Sequence, residues 1–521
     1  MIEDNLLGFY ESGKGDQFTQ GVDPATGKLL FGKFKNAISS EVDEALKRSA
    51  EAFEIYRKKS ANEKAKFLCA IADQIEEIGE TLIERCCAES GLASARITGE
   101  RGRTTSQLRM FADLIEDGSW VEATIERADV GRSPIPKPDI RRILTPMGPV
   151  VIFAASNFPL AFSTAGGDTA SALAGGNTVI VKAHSAHPGT SALVGEAINK
   201  AAIKCNMPDG VFSLLHGSGK DVGQRLIKDK RVKAAGFTGS EKAGRILYDL
   251  ANQREEPIPF FAEMGSVNPV LVLPSALNSD TAEMLSSSIT LGSGQFCTNP
   301  GLILSIAGNA LEDFIGELSQ RLSRIDPQVM LTEKICKSYN DMKSLSSANQ
   351  HLKNETESID TAQKNYATPV LLSIKGKDFL NNLNLSNEVF GPYSIIVKCK
   401  DKDQLNEILA NLKGQLTGTV FGRSQDFEDF THLIDQLEKK VGRLIFNGVP
   451  TGVEVCASMQ HGGPYPASSD SRFTSVGTMA IKRFVRPIAF QSWPDEQLPH
   501  ELQDSNPLNI WRLIDGKWTK D

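Results

Sequence analysis

The early part of the chain repeats apolar positions at helical spacing. Between residues 40 and 56 apolar side chains recur every three or four positions behind a serine that can cap a helix. A second stretch of this kind runs through Phe67, Leu68, Ile71, Ala72 and Ile75. Prolines at positions 134, 136 and 138 then interrupt any helix, and residues 140–144 have the pattern of an extended segment. The pattern predicts a helical first part that ends at a domain boundary.

After Gly148 short apolar runs alternate with segments long enough for crossover helices. These runs are Val150–Ala154, Thr178–Val181, Val211–Leu215, Ala234–Phe237 and Pro259–Phe261. Such alternation predicts a parallel sheet with helices on both faces and ligands at the carboxyl ends of the strands. Asn157, Lys182 and Gly239 each follow one of these runs. A similar alternation between Asn268 and Leu444 predicts a second α/β domain.

Composition restricts the class of protein. A chain of 521 residues is too long for one hydrophobic core and should divide into two or three domains. A net charge of −7 without a long basic run argues against nucleic acid or an anionic membrane as a partner. No apolar run approaches the ~20 residues of a membrane-spanning helix, and the start of the chain is acidic where a secretory signal is basic.

The cysteines favour a reducing compartment. Eight cysteines are scattered along the chain without CxxC pairs, so neither a disulfide framework nor a cysteine-based zinc site is expected. His184 and His187 could suggest a metal pair, but no third ligand lies at a suitable spacing. We therefore expect a cytoplasmic protein in which these two histidines form local hydrogen bonds and no metal is bound.

Cys297 is the residue with the most informative surroundings. Small and turn-forming residues flank it throughout the segment 294–301, and such a loop can expose a thiol and direct backbone N–H groups at whatever bonds to it. A single cysteine is often a small core residue instead. The loop makes Cys297 a candidate nucleophile.

Three further segments accompany the cysteine. Asn157 lies in residues 155–160, Glu263 in residues 261–269 and Glu388 in residues 387–392. Together with residues 294–301, and in this order, they resemble the aldehyde dehydrogenase superfamily over nearly the whole chain.

The resemblance implies an α/β protein with three parts. A Rossmann-type cofactor domain would comprise residues 1–133 and 151–263, and an α/β catalytic domain residues 264–476. A small strand-based oligomerisation element would comprise residues 134–150 and 477–521. Members of the superfamily usually assemble through such strands, so a homodimer or homotetramer is expected, with paired strand edges as the physical reason.

The resemblance also implies a mechanism. Cys297 would attack an aldehyde as a thiolate, while the Asn157 side chain and the Cys297 N–H stabilise the oxyanion. Hydride would pass to a nicotinamide, and Glu263 would activate the water that hydrolyses the thioester. Because Phe260 and Phe261 precede Glu263, desolvation is expected to raise the pKa of its carboxyl toward neutrality.

A turn at residues 237–244 is the candidate pyrophosphate site. Gly239 and Gly244 lie five apart with Ser240 between them, so backbone N–H groups and a helix dipole can meet a phosphate. In the superfamily this segment holds the nicotinamide dinucleotide. By the same resemblance Glu388 would hold the nicotinamide ribose and Phe390 would pack near the nicotinamide.

Cofactor selectivity depends on the residues after Val181. Lys182 resembles the lysine that contacts the adenosine ribose, and Ser185 stands where a glutamate often selects NAD. Without that carboxylate a 2′-phosphate is not repelled, and nearby Lys220 could attract it. NADP or NAD is therefore expected, with NADP favoured, unless Ser185 merely caps a turn.

Within the superfamily the chain is most similar to the 2-oxoglutarate semialdehyde (2,5-dioxopentanoate) dehydrogenases. The residues behind this similarity are 99–104, 154–163, 166–174, 183–189 and 461–466. A substrate with a terminal carboxylate calls for a guanidinium, for which Arg101, Arg103 and Arg472 are candidates.

Other functions stay open at this point. An NADP-dependent long-chain aldehyde dehydrogenase would need an apolar tunnel, for which Phe158, Phe162 and Phe296 could serve. A CoA-acylating enzyme, a thiol hydrolase and a catalytically silent binding protein of the same fold are further alternatives. Cys297, Glu263 and Asn157 together argue against the silent protein, and Glu263 favours hydrolysis over CoA transfer.

Overall fold

The computed structural model describes residues 1–357 and 363–521. The chain begins with β1 (Asn5–Leu7), β2 (Tyr10–Ser12), β3 (Phe18–Thr19), β4 (Phe34–Lys35), α1 (Ser39–Tyr56), α2 (Ala61–Ile78), α3 (Glu80–Ser90), α4 (Ser94–Asp117), β5 (Thr124–Glu126) and β6 (Ile140–Pro146). It continues with β7 (Val150–Phe153), α5 (Gly167–Ala174), β8 (Val179–Lys182), α6 (Pro188–Lys204), β9 (Phe212–Leu215), α7 (Gln224–Lys228), β10 (Ala234–Thr238), α8 (Glu241–Asn252) and β11 (Phe260–Glu263).

The second half of the chain has the same alternating character. It contains β12 (Val270–Val272), α9 (Ser279–Thr290), β13 (Leu302–Ile306), α10 (Asn309–Ser323), β14 (Gln328–Val329), α11 (Glu333–Ser347), β15 (Lys353–Asn354), β16 (Tyr366–Ala367), β17 (Val370–Lys375) and α12 (Gly376–Leu380). The last elements are β18 (Tyr393–Cys399), α13 (Lys402–Asn411), β19 (Gln415–Phe421), α14 (Asp426–Glu438), β20 (Val441–Phe446), β21 (Val485–Gln491), β22 (Arg512–Ile514) and β23 (Lys517–Thr519).

The first sheet has the order β11-β10-β7-β8-β9-β1-β2, and its five strands from β11 to β9 are parallel. Successive residues of a strand point to opposite faces, and both faces of this sheet are covered by helices. Val150 and Ile152 accordingly pack in one core cluster, whereas Val151 and Phe153 pack in another. Burial on both faces explains why these strands are continuous apolar runs. The predicted parallel sheet is confirmed.

The second sheet has the order β15-β17-β18-β13-β12-β19-β20, and all neighbours from β17 to β20 are parallel. The predicted second α/β unit is therefore present. A third sheet has the order β21-β6-β5-β22-β23 and joins the extended segment near residue 140 to the C-terminal region. It also includes β5, which the sequence had grouped with residues 1–133.

The start of α1 differs from the predicted serine cap. Ile38 occupies the capping position, and Glu41 accepts a hydrogen bond from the Ile38 N–H at 2.9 Å. Glu41 is fixed there because the Ser12 hydroxyl also donates to it, at 2.6 Å. A carboxylate in the first turn satisfies the free amide and complements the helix dipole, so no serine cap is needed. Within the described ranges no helix is both long and apolar enough to cross a membrane.

Candidate active site

The loop that carries Cys297 is shaped by its backbone. Gly294 has a φ of +62°, and a Cβ added there would lie 2.3 Å from the Gly391 carbonyl oxygen. Glycine at this position therefore lets the thiol loop contact the segment 388–392. Asn268 holds the other side, because its Nδ2 donates to the carbonyl oxygens of Cys297 at 2.8 Å and of Asn299 at 2.9 Å.

The thiol of Cys297 lies beside a buried imidazole and a buried carboxylate. Its Sγ is 3.6 Å from His461 Nε2, and that nitrogen is 2.8 Å from Glu263 Oε1. The Ser475 hydroxyl donates to Glu263 Oε2 at 2.5 Å. Glu263 ends β11 and bridges to Ser468, which brings the segment containing His461 and Ser475 across the carboxyl end of the first sheet. The site thus lies where the first and second sheets meet.

The charges around the thiol determine its resting state. Burial raises the pKa of Cys297 well above its ordinary value, and the carboxylates of Glu263 and Glu388 raise it further. The thiol is therefore protonated at neutral pH and needs a base when it reacts.

Glu263 does not have the raised pKa that the sequence suggested. Burial alone raises the pKa of its carboxyl, but the charge of His461 and hydrogen bonds from His461 and Ser475 outweigh burial and lower it. That expectation is wrong because its reasoning included the neighbouring phenylalanines and omitted two partners about 200 residues away in the chain. Glu263 is therefore ionised at neutral pH and can accept a proton.

Asn157 lies on the loop after β7 and reaches the thiol loop. Its Nδ2 donates to the Gln295 carbonyl oxygen at 3.0 Å, and its own carbonyl oxygen accepts from Arg96 Nη2 at 2.9 Å. The side-chain amide is thereby held against the backbone of Gln295, which lies two residues before Cys297. This is a suitable position for an oxyanion donor.

Three aromatic rings form one wall next to the thiol loop. The centroid of Phe158 lies 5.4 Å from those of both Phe162 and Phe296, and Phe162 lies 6.2 Å from the His461 ring. The predicted apolar residues are therefore brought together. The same wall carries positive charge, because the Arg103 guanidinium lies 5.9 Å from the Phe158 ring and 5.3 Å from the Phe162 ring.

Arg103 differs from the other two candidate arginines. Its Nε and Nη2 are buried and have no hydrogen-bond partner among the described residues, and burial lowers the pKa of the guanidinium. Arg101 instead donates to the Gly79 carbonyl at the end of α2, at 3.1 Å. Arg472 is largely exposed and pairs with Asp470 at 2.6 Å. The structure thus brings Arg103 to the thiol and engages Arg101 and Arg472 elsewhere.

The residues predicted to hold a dinucleotide pyrophosphate lie at the start of α8. Ser240 caps the helix by accepting from the Ala243 N–H, and the Gly239 N–H donates to the Glu263 carbonyl at 3.1 Å. A Cβ added at Gly244 would lie 2.7 Å from Met264 Sδ, so glycine allows the helix to pack tightly here. A twelve-residue helix with its amino end at the carboxyl edge of a parallel sheet fits a pyrophosphate.

Lys182, Ser185 and Lys220 lie at the carboxyl ends of β8 and β9. Lys182 is buried, which lowers the pKa of its ammonium group to about 8. Ser185 and Lys220 are both exposed, so each is accessible to a ligand at this edge. A buried cation at the end of β8, with exposed polar side chains in the segments that follow β8 and β9, fits the adenosine ribose of a dinucleotide.

Glu388 and Phe390 lie on the other side of the thiol loop. They line one small cavity together with Phe296 and Ser266. Burial raises the pKa of Glu388 to about 7, although a hydrogen bond from the Ser266 N–H opposes this. A carboxylate and an aromatic ring beside the thiol loop fit a nicotinamide ribose and its ring.

His184 and His187 make local contacts. Their rings stack at 5.4 Å, and His187 Nε2 lies 2.8 Å from the Ala155 carbonyl oxygen, two residues before Asn157. His187 therefore supports the loop that carries Asn157.

Sequence reasoning missed the roles of His461, Ser475 and Arg96. His461 belonged to a segment that carried the subfamily resemblance, which was the one signal available for it. Arg96 lies 4.9 Å from the Phe158 ring and 4.6 Å from the Phe296 ring. It lies seven residues before Arg103, so two turns of α4 place both guanidinium groups on one face.

The fold and the thiol site define the class of protein. A sequence model described as "Aldehyde dehydrogenase family" matches residues 9–480. The chain belongs to the aldehyde dehydrogenase family, and the resemblance noted in the sequence is confirmed. Its activity is that of an aldehyde oxidoreductase that uses NAD or NADP.

Individual relatives narrow the comparison. The chain is 47% identical over 500 residues to alpha-ketoglutaric semialdehyde dehydrogenase 2 of Azospirillum brasilense, covering 95% of each chain. It is 44% identical over 492 residues to alpha-ketoglutaric semialdehyde dehydrogenase of Acinetobacter baylyi, covering 94% of this chain and 93% of the relative. Among solved structures, 1-pyrroline-5-carboxylate dehydrogenase from Thermus with bound NAD superposes with a TM-score of 0.79 at 20% identity, covering 94% of this chain and 92% of that one. The last comparison supports the fold.

Proposed function

We propose that the protein oxidises 2-oxoglutarate semialdehyde to 2-oxoglutarate with NADP or NAD as the hydride acceptor. The observation that carries the proposal is Arg103, which lies on the aromatic wall near Cys297 and has two buried guanidinium nitrogens without a hydrogen-bond partner among the described residues. The Azospirillum and Acinetobacter relatives are named for this same substrate, also called alpha-ketoglutaric semialdehyde.

The first chemical step is formation of a thiohemiacetal. The Cys297 thiol gives its proton to the His461–Glu263 pair, and Sγ bonds to the aldehyde carbon. The carbonyl oxygen becomes an oxyanion, for which Asn157 Nδ2 and the Cys297 N–H are the proposed donors. A dinucleotide held by the start of α8, Lys182 and Glu388 would supply the acceptor for the hydride that leaves this carbon, and a thioester would remain on Cys297.

Hydrolysis completes the reaction. Glu263, ionised because its pKa is lowered, takes a proton from water while the water oxygen bonds to the thioester carbon and the C–S bond breaks. Overall, aldehyde, water and oxidised dinucleotide give carboxylate, reduced dinucleotide and two protons. A carboxylate base next to the thiol favours water over coenzyme A as the acyl acceptor.

Arg103 is the proposed site for the distal carboxylate of the substrate. Arg96 and Arg103 both face the buried carboxyl of Glu100, and the carboxylates of Glu263 and Glu454 also act on Arg103. Glu100 also accepts from the N–H groups of Leu160 and Ala161 at 2.9 and 3.0 Å. Because the Arg103 guanidinium is desolvated and two of its nitrogens have no partner among the described residues, a substrate carboxylate would stabilise its charge.

An uncharged fatty aldehyde is the second candidate substrate. Phe158, Phe162 and Phe296 form an apolar surface that would suit it. A long aliphatic chain would, however, leave the Arg103 nitrogens buried without a partner, which is costly. This argument favours the oxo acid.

The assay that tests the function uses purified protein with NADP or NAD and follows reduced nicotinamide. We expect a higher kcat/KM with 2-oxoglutarate semialdehyde than with a long-chain aliphatic aldehyde, and 2-oxoglutarate as the product. A preference for the fatty aldehyde would contradict the carboxylate site while retaining the thiol mechanism. An acyl-CoA product when coenzyme A is added would contradict hydrolysis, and no activity with either aldehyde would favour a silent binding protein.

Ser185→Glu is predicted to shift cofactor preference toward NAD. A carboxylate at this exposed position would repel the 2′-phosphate of NADP and accept hydrogen bonds from the ribose of NAD. We expect the ratio of kcat/KM for NADP to that for NAD to fall about ten- to a hundred-fold. Ser185→Gln is the control, because glutamine is similar in size to glutamate and carries no charge. An unchanged ratio in Ser185→Glu would rule out this account of selectivity and the preference for NADP based on it.

We also propose a homodimer or homotetramer in the cytoplasm. The edge strand β20 exposes Leu444 and Phe446, and β21 is the edge of the third sheet, so pairing of such edges would bury them in an assembly. All eight cysteines are free thiols, which supports a reducing compartment.

A further inference from the structure

The proposed catalytic side chains also form a set of three metal ligands. Cys297 Sγ, His461 Nε2 and a Glu263 carboxylate oxygen all lie within 4.8 Å of one another. A thiolate, an imidazole and a carboxylate are the donors that zinc prefers, and three such ligands with one open position are typical of accessible zinc sites. The sequence did not predict this set, because its members are separated by 34 and 164 residues.

Two of the three donor separations approach those around a tetrahedral ion, and the third, between Cys297 Sγ and a Glu263 carboxylate oxygen, is within 4.8 Å. Zinc–sulfur and zinc–nitrogen bonds of about 2.3 and 2.0 Å at a tetrahedral angle place the two donors about 3.5 Å apart. Sγ and Nε2 are 3.6 Å apart. Nε2 and Oε1 are 2.8 Å apart, and a movement of about 0.5 Å would suffice to reach the corresponding tetrahedral separation.

Charge and burial also favour a metal ion at these three side chains. A thiolate and a carboxylate together neutralise a divalent cation, and His461 and Glu263 are nearly inaccessible to solvent. His461 Nδ1 is buried without a hydrogen-bond partner within residues 1–357 and 363–521. Metal-binding histidines usually donate from this second nitrogen, so its lack of an acceptor argues for a reversible site rather than a permanent structural one.

We propose that Cys297, His461 and Glu263 bind Zn²⁺ or a similar thiophilic divalent cation, and that this binding reversibly inhibits the enzyme. On binding, the Sγ–H bond breaks, the proton goes to solvent and an Sγ–metal bond forms, with no electron transfer. The bound metal then occupies the sulfur lone pair that would attack the aldehyde. It also occupies the lone pairs of His461 and Glu263 that would accept protons. Binding itself does not depend on the proposed function, whereas the loss of turnover rests on it.

Co²⁺ titration tests binding directly. The full-length chain, reduced and stripped of metal, is titrated with Co²⁺ without aldehyde or dinucleotide, and the sulfur-to-cobalt charge-transfer band is recorded. We expect one Co²⁺ per chain, displaced by Zn²⁺, because zinc has no geometric preference of its own to lose in a tetrahedral site with a thiolate ligand. Cys297→Ala should abolish the band, and His461→Asn should weaken Co²⁺ binding about 100-fold or more. Cys69→Ser, a half-buried cysteine on α2, is the control that should keep the band.

Each alternative result identifies what fails. A band that persists in Cys297→Ala, or full affinity in both His461→Asn and Glu263→Gln, would overturn the metal site. Circular dichroism of each variant separates loss of ligands from loss of folding. Saturating Zn²⁺ that leaves aldehyde oxidation unchanged would overturn the inhibition, while chelator should restore activity if the proposal holds. Co²⁺ binding by a protein without aldehyde oxidation would support the site and contradict the proposed function.

Discussion

Cys297→Ala is expected to lower kcat for aldehyde oxidation by about 10⁴-fold or more while dinucleotide binding is retained. The carbon of an aldehyde does not release a hydride until a nucleophile makes it tetrahedral, and Cys297 Sγ is the thiol beside the His461–Glu263 pair. Alanine removes the proposed nucleophile and leaves the proposed dinucleotide-binding residues, which are the start of α8, Lys182 and Glu388, in place. Turnover is measured by reduced nicotinamide, and dinucleotide affinity by fluorescence titration of the same preparation.

The control for this variant is Cys69→Ser. Cys69 lies on α2 and is half-buried, so its substitution should leave both turnover and dinucleotide affinity close to those of the unmodified chain. Near-normal turnover in Cys297→Ala would sink the thiol mechanism. Loss of dinucleotide binding together with turnover would show that the alanine disturbs more than the nucleophile.

The elements of the first sheet were predictable because their signal is local. The run Val150–Ala154 was predicted and β7 spans Val150–Phe153, since a strand buried on both faces must be apolar at every position. The grouping of strands was harder to infer. β5 pairs with β6 and β22, and its partner β22 lies almost 400 residues later in the chain. Three residues of strand carry no local indication of such a partner.

The candidate active site likewise contains residues that the local sequence identifies and contacts that only folding produces. Cys297 and Asn157 lie in distinctive segments, and the structure brings the Asn157 amide into contact with the loop that carries Cys297. His461 and Ser475 lie near Glu263 through folding alone, and they reverse the direction of its pKa shift. Reasoning from sequence neighbours included the effect of burial and omitted these partners. The sequence could therefore identify Glu263 as a candidate site residue but not the direction in which its pKa is shifted.

The three candidate arginines show how geometry decides between equal sequence signals. Arg101 and Arg103 are two residues apart on α4, and a helix turns about 200° over that interval, so their side chains leave on opposite faces. Arg103 therefore meets Phe158 and Phe162, whereas Arg101 meets the end of α2. Helical periodicity alone predicts that these two arginines do not share a site. It cannot say which one faces the thiol.

Arg103→Met is predicted to lower kcat/KM for 2-oxoglutarate semialdehyde by about 10²-fold or more. Methionine keeps an unbranched apolar stem against Phe158 and Phe162 but removes the charge that a buried substrate carboxylate needs, a loss of about 2–5 kcal/mol. For an uncharged aliphatic aldehyde of similar length, kcat/KM should change less than about fivefold, because that substrate makes no ion pair. Both substrates are assayed on one preparation by formation of reduced nicotinamide.

Arg101→Met is the matched control for this substitution. It removes the same charge two residues away, where the guanidinium binds the Gly79 carbonyl, so selectivity between the two aldehydes should stay the same. Equal losses for both aldehydes in Arg103→Met would mean that Arg103 supports the loop rather than the substrate carboxylate. A selective loss in Arg101→Met would transfer the carboxylate site to the opposite face of α4. If kcat/KM falls only for the oxo acid and only in Arg103→Met, the Arg103 guanidinium determines the substrate class. This conclusion holds because the two variants differ only in which face of α4 loses its charge.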